Sequence, residues 1–196
     1  TSDLCPDYGI ASNIQELNYT PINELCMDGI WYWQVRAFDG QEYGEWSDKW
    51  NFTIEPVIIL SMTTSTIDFG LMEINESKDT DNGYSALVVQ NDGNVMANIT
   101  WISTNSTIWT TVSDNTEYFR FKVDNDETEA NSFSWADSQT TWRNFTTIDY
   151  FNSTAIALLN YSDANDNAEI DLNLTVPPQE PPDSRFVSIY IIGQET

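Results

Sequence analysis

The sequence contains no histidine. That removes histidine general bases, histidine-containing triads and histidine metal sites together. Cysteine is nearly absent too. Cys5 and Cys26 fit neither a CxxC redox pair nor a zinc spacing. In an oxidising compartment they would close a disulfide loop worth about 3 kcal/mol; the alternative is two buried free thiols. Positive charge is scarce, with 7 Lys and Arg against 31 Asp and Glu and a formal net charge of −24. Such a chain repels phosphate backbones and anionic membrane surfaces, so neither nucleic acid nor a membrane is an expected partner. Long apolar runs are missing as well: Val57 to Leu60 and Ala155 to Leu159 are far too short to cross a bilayer. The start, TSDLCPDYG, has no basic region followed by an apolar run, so if the protein is secreted, Thr1 follows a processing event or lies inside a longer precursor. P-loop, dinucleotide and zinc motifs are absent. Paired carboxylates are inevitable among so many acids and carry no signal for a glycosidase. A serine or threonine nucleophile would need a lysine or a terminal amine as its base; Thr1 would suit an N-terminal nucleophile, but the β-sandwich text speaks against it. No enzyme is expected.

What is present is aromatic and β-forming. Eight Trp, nine Tyr and nine Phe exclude a wholly disordered acidic tail. Asn-x-Ser/Thr occurs at Asn18, Asn51, Asn75, Asn98, Asn105, Asn144, Asn152, Asn160 and Asn173. Nine sites exceed the about four that chance would give for this Asn and Ser/Thr content, and the excess points to N-glycans and an extracellular or cell-surface address. Several lie in strand-like text such as NITWI and NLTV, where the asparagine must face solvent to carry a glycan. Period-2 alternation predicts strands over 30–38, 49–54, 57–62, 66–73, 85–90, 97–102, 118–123, 155–161, 169–176 and 186–192. Polar turn text such as KDTDNG, NDGN and DANDN separates them. The fold class is therefore all-β, a sandwich or barrel. A boundary falls near Glu55-Pro56, and residues 124–153 form a long, acidic, aromatic-rich insertion.

The stretch DGIWYWQVRAFDGQEYGEWSDKWNFTI, Asp28 to Ile54, resembles the last two strands of a fibronectin type III domain. The resemblance implies that Trp31, Trp33, Val35 and Ala37 point inward, with Trp31 where the family usually has a corner tyrosine. It also implies that Arg36 lies over Trp46 or Trp50 in a cation–π ladder. The text before Asp28 is too short for the five preceding strands, so residues 1–55 read as a partial fibronectin type III-like domain whose remaining strands lie upstream or come from a neighbouring molecule. IDFGLMEINES, ALVVQNDGN and DLNLTVPPQEPPDSRFVSIYI resemble Ig-like modules of secreted archaeal and bacterial surface proteins, Phe69-Gly70 followed by Asn91-Asp92-Gly93-Asn94 being the shared signature. That resemblance implies an Ig-like β-sandwich over 57–196 with structural or adhesive roles and no catalytic residues.

Calcium is the one metal the composition suits, since hard oxygen ligands cluster at Asp79, Asp81 and Asn82, at Asp124, Asp126 and Glu127, and at Asp163, Asn165, Asn167 and Glu169. The last set reads D-x-N-x-N-x-E but lacks the glycine and the closing glutamate of an EF-hand, with Ala168 and Leu174 in their places; solvated turn acids are the alternative. Trp135, Trp142, Phe145, Tyr150 and Phe151 could stack on sugars, pack onto the sandwich beneath them or fill a subunit interface. The expected function is a structural subunit of an extracellular filament, pilus-like fibre or surface coat, a homopolymer joined through β-strand contacts. RFVSIYIIG is a candidate donated strand, unless it belongs to its own sandwich. The alternative function is an adhesin or carbohydrate-binding module of a larger cell-surface protein.

Overall fold

A computed structural model describes residues 12, 14, 19, 20, 25, 30–112, 117–145 and 154–196. The chain divides into two compact units, Thr1–Pro56 and Val57–Thr196. Cys5, Cys26, Asn18, Tyr150, Phe151 and Asn152 lie outside the described residues, and the disulfide expectation with them.

In unit 1, β1 (Ile30–Trp33) and β2 (Trp50–Thr53) form an antiparallel ribbon in which Trp33 stands opposite Trp50. Their rings stack at 6.1 Å. The strand expected to run to Phe38 ends at Trp33. Beyond it, Asp39 accepts hydrogen bonds from the N–H groups of Gln41 and Glu42 and closes a turn, whose flanks meet in a single Phe38–Tyr43 bridge. Arg36 lies 3.9 Å from the Tyr43 ring centre and 4.4 Å from that of Trp46. The expected inward row is only partly covered: Trp31 is half-buried, whereas Trp33, Val35 and Ala37 are exposed.

Unit 2 contains two antiparallel sheets. The larger runs β3 (Leu60–Thr64), β5 (Leu87–Asn91), β10 (Asn167–Thr175), β7 (Phe119–Asn125) and β8 (Arg143–Asn144), with β4 (Ser77–Asp79) beside the far half of β10. The smaller runs β11 (Ile189–Glu195), β6 (Ala97–Thr104) and β9 (Ile156–Leu159). One three-residue 3-10 helix, Trp135–Asp137, is the only helical element among the described residues. All-β is therefore the class.

β10 shows why the sequence folds this way. Ala168, Ile170, Leu172 and Leu174 alternate onto one face and join the core, while Asn167, Glu169, Asp171 and Asn173 occupy the other. β7 answers with Phe119, Phe121 and Val123, and the smaller sheet with Ile99, Ile102, Ile156 and Leu159, so one core is shared by both sheets. β11 and β6 lose register between Ile192 and Gly193, where Trp101 and Ile99 are consecutive partners; that bulge lets both Ile99 and Ile102 reach the core. At the NDGN turn, Asn94 exchanges hydrogen bonds with both backbone polar groups of Val57, and a side chain at Gly93 would collide with the Val57 carbonyl oxygen.

Nine of the ten expected strands occur, with shifted ends. The segment 66–73 is a loop instead. Asp68 accepts the Gly70 N–H, Gly70 takes φ +63, and Lys78 Nζ collects the carbonyls of Phe69 and Leu71 that a sheet would have used. Ile67, Phe69 and Met72 still pack on the core, while Leu71 is 97% exposed. The insertion 124–153 is partly woven into the larger sheet, through the end of β7 and through β8. Of RFVSIYIIG, the residues from Ile189 onward form the edge strand β11, paired antiparallel with β6, and the four before them lie outside any strand.

Candidate functional site

The outer face of the larger sheet carries charge. Register places Glu169 opposite Asp124, Asp171 opposite Lys122 and Asn173 opposite Arg120. The loop after β4 adds Asp81. Lys122 Nζ lies 2.9 Å from Asp81, 2.8 Å from Asp124 and 3.5 Å from Asp171, at the centre of the one group of three carboxylates that converge within 4.8 Å among the described residues. Trp142 covers this cluster, its ring centre 5.5 Å from Lys122 Nζ and 5.8 Å from the Arg120 guanidinium. Asp171 is 2% exposed. Its Oδ1 accepts the Thr80 hydroxyl at 2.6 Å, and the same Thr80 oxygen accepts the Leu172 N–H.

Burial pushes the Asp171 carboxyl up to about 6 against the opposing Thr80 bond. Burial, then repulsion from Asp171, Asp126, Asp124 and Glu127, pushes Glu169 up to about 7. For Lys122, burial works against the charge, but the hydrogen bonds to Asp124 and Asp81 outweigh it and hold the ammonium above its ordinary value.

A second acidic group forms at one end of this sheet, where three turns meet. The turn after β5 supplies Asp92, the turn after β7 supplies Glu129, and the turn into β10 supplies Asp163 and Asp166. Glu129 Oε2 accepts the N–H groups of Asp166 at 3.0 Å and Asn167 at 3.2 Å, and the Asn91 N–H donates to the Asp166 carbonyl. Of the expected calcium set, Asp163 and Asn165 lie in the turn while Asn167 and Glu169 stand on β10.

Unit 2 also contains a carboxylate of a different kind. Glu180, in the VPPQEPPDS loop, accepts the backbone N–H and the hydroxyl of both Thr110 and Thr111, and Arg185 lies 2.8 Å away. Burial pushes this carboxyl up, yet those bonds outweigh it and hold it down at about 2. The bonds tie two loops together at the rim of a groove lined by Thr107, Trp109, Thr110, Ser184 and Phe186.

The sequons divide by geometry. Asn51, Asn75 and Asn105 are exposed. Asn98, Asn105 and Asn160 each accept backbone N–H groups through the carbonyl oxygen, not through the amide nitrogen that a glycan would occupy. Asn144 is half-buried on β8. Asn173 differs: it is 6% exposed, its oxygen accepts from Arg120 and its nitrogen donates to Ser77 Oγ, so the folded chain leaves no room for a sugar there.

The insertion aromatics take separate roles. Phe145 is buried, stacked at 4.4 Å on Phe119 and 5.0 Å from Phe121. Trp142 lies on the charged face, and Trp135 is exposed against Phe133. Phe133 is a core residue that the sequence reading does not single out, because the alternation around it, Ser132-Phe133-Ser134-Trp135, is only four residues long. Comparison with known proteins gives no match: no family model, no curated protein and no solved structure matches the chain. No helix among the described residues is long and apolar enough to cross a membrane.

Proposed function

We propose that the chain is a non-catalytic structural subunit of an extracellular filament, pilus-like fibre or surface coat, N-glycosylated and joined copy to copy through β-strand contacts. In this reading unit 2 is an Ig-like sandwich and the β1–β2 ribbon is the closing part of a fibronectin type III-like domain completed by strands from elsewhere. The observation that carries it is the ribbon surface. On one face of the ribbon Trp50 is 60% exposed, with Trp33 and Phe52 beside it; on the other face Tyr32 is 63% exposed beside Ile30. The two strands contain no charged residue in a chain of net charge −24. A two-stranded ribbon is marginal alone, and contiguous exposed apolar surface marks an interaction site. Strongly acidic copies repel except where they meet through neutral surface, and burying each such side chain recovers about 1.5–3 kcal/mol. The test is negative-stain electron microscopy and sedimentation of the purified chain beside Trp33→Glu and Trp50→Glu. Fibres or sheets in the wild type, lost in both variants, are expected; a wild type that stays monomeric at high concentration overturns the reading.

A second reading, a carbohydrate-binding module of a larger surface protein, is favoured by the groove beside Glu180. It has a volume of about 610 Å³ and combines hydroxyls of Thr107, Thr110 and Ser184 with the rings of Trp109 and Phe186. Glycan-array binding by monomeric protein, lost in Phe186→Ala, would select it.

A further inference from the structure

The two sheets of unit 2 differ in what their outer faces carry. The larger sheet bears Arg120, Lys122, Asp124, Glu169 and Asp171 there. The smaller sheet is almost free of charge: its strands IYIIGQE, ANITWIST and IALL contain one charged residue, Glu195, at the end of β11. Ile189 and Ile191 pack on the core, so Tyr190 and Ile192 face outward, opposite Ser103 and Trp101 of β6. Tyr190 is 53% exposed and Ile192 46%. β9 adds Leu158, which is 43% exposed while Ala157 and Leu159 on either side of it are buried. The Leu158 backbone takes φ +55, and its N–H donates to the Asn98 side chain of β6. Backbone strain of this kind persists at binding surfaces, and here it accompanies an apolar side chain held in water. β11 is also an open edge, paired with β6 alone among the described residues. Its residues 189–193 have no charge and no proline, and the extra residue of the register shift, Thr100, belongs to β6. Edges that stay solvated are usually guarded by such devices.

We propose, resting on the polymer reading above, that the outer face of the smaller sheet at the β11 edge is where the next copy of the chain docks its β1–β2 ribbon, through the side bearing Trp33, Trp50 and Phe52. Charge selects this occupant. A basic partner is drawn to acidic surface, of which this chain has plenty, and not to a neutral face. A partner that itself carries a net charge of −24 approaches closely only where both surfaces are neutral. Among the described residues the ribbon and this sheet face are two such surfaces, one on each unit. They are also unlike: broad aromatic rings on the ribbon side, mainly Ile192, Leu158 and Tyr190 on the other. The free edge of β11 offers the backbone groups for a strand contact. Asn98 and Asn105 stand near the two ends of β6, so glycans on these sequons would frame the patch as a polar rim. A contact between two different surfaces is head-to-tail, and each added copy leaves one surface of each kind free for growth.

The test is sedimentation and negative-stain microscopy of the full chain, its variants Ile192→Glu, Tyr190→Glu and Trp50→Glu, and an equimolar mixture of Ile192→Glu with Trp50→Glu. Each variant alone is expected to raise the concentration needed for assembly at least about tenfold, with a urea midpoint close to that of the wild type. Tyr190→Glu, at the more exposed position, carries the test should Ile192→Glu fail to fold. The mixture is expected to form a 1:1 dimer that grows no further, because the intact ribbon of one variant meets the intact sheet of the other. Wild-type assembly should strengthen as sodium chloride rises from about 10 mM to about 0.5 M, which screens the repulsion between copies. Assembly that salt weakens would make the contact ionic and overturn the proposal. If Trp50→Glu abolishes assembly while Ile192→Glu and Tyr190→Glu assemble as the wild type does, ribbon meets ribbon: the proposal falls and the polymer reading stands. Variants that are all disabled but form no dimer on mixing overturn the proposal in the same way. A wild type that stays monomeric at high salt and high concentration removes the polymer reading and the proposal together.

Discussion

Phe119, Phe121, Phe133 and Phe145 are buried in one core of unit 2, whereas Tyr32, Trp33, Trp50 and Phe52 of unit 1 face outward. Both sets lie in or beside β-strands, and both units are rich in aromatics. The difference is in what pairs with each strand. β10 has neighbours on both edges and apolar residues from the smaller sheet across its inner face, so alternation becomes burial. β1 and β2 pair only with one another among the described residues. Identical chemistry thus yields a core in one unit and a surface in the other. An aromatic strand is informative about fold only once its partners are counted.

Paired truncations give the sharpest version of this contrast. Phe121→Ala removes a buried ring tilted against Phe145 and is expected to cost about 3–5 kcal/mol by urea denaturation. Trp50→Ala should cost no more than about 1 kcal/mol in the monomer, because its ring is already mostly in water. Its larger effect should be on association. Equal monomer costs at the two positions would mean that the ribbon is buried by some contact within the chain, and the contrast would fail.

The contrast also marks what could be read from residues alone. β10 was legible because IDLNL alternates and DANDN ends the turn before it. The Glu55-Pro56 boundary coincides with the division of the chain at Pro56. β4 and β8 were not legible, since Ser77–Asp79 and Arg143–Asn144 have no alternation of their own and become strands only through β10 and β7. The loop at 66–73 was misread because IDFGLM alternates convincingly, while the lysine that captures its carbonyls stands at position 78. Asp81 and Asp124 were visible as acid-rich text, but Lys122 and Asp171 were not. Their meeting depends on β7–β10 register across about fifty residues. The usable signal was polar residues alternating with the core in FKVDN and IDLNL. Asp166 was overlooked within DANDN because its importance lies in burial, which composition does not encode.

Acid titration separates the units further, because among the described residues the strongly shifted groups lie in unit 2. Glu180 is held at about 2 against an ordinary 4.5, so its ionised form stabilises the fold. That stabilisation is fully present above pH 4.5 and is lost as pH falls toward 2, roughly 2–3 kcal/mol in all. Glu169 and Asp171 have the opposite sign. Their folded values of about 7 and about 6 lie above the ordinary 4.5 and 3.8, so the folded chain prefers them neutral and stability falls as pH rises through 4 to 7. Urea denaturation in EGTA should therefore show a stability maximum near pH 5. Glu180→Gln should flatten the acid limb. Glu169→Gln should stabilise by about 1 kcal/mol at pH 8, after allowance for its partial exposure, and should flatten the neutral limb. A stability curve unchanged from pH 8 to 5 would contradict the burial of Glu169 and Asp171.

The smallest expected effect tests unit 1 from within. Arg36 lies between Tyr43 and Trp46, all three exposed, and the contact lies past the end of β1, where the Ser47 and Gly44 N–H groups still donate to the Val35 and Ala37 carbonyls. A cation–π contact in water is worth about 0.5–1 kcal/mol, and the guanidinium adds planar stacking that an ammonium lacks. Arg36→Lys should therefore cost less than Arg36→Ala, and neither should exceed about 1 kcal/mol. Because the contact lies in unit 1, the unfolding transition reported by the core phenylalanines of unit 2 should not move. The measurement is proton chemical shifts of the Tyr43 and Trp46 rings together with urea denaturation. Ring-current shifts on the arginine side chain that vanish in Arg36→Lys, at constant unit 2 stability, are expected. A loss of unit 2 stability of several kcal/mol in Arg36→Ala would show that the two units share their folding energy, and the separation between an exposed ribbon and a self-sufficient core would have to be abandoned.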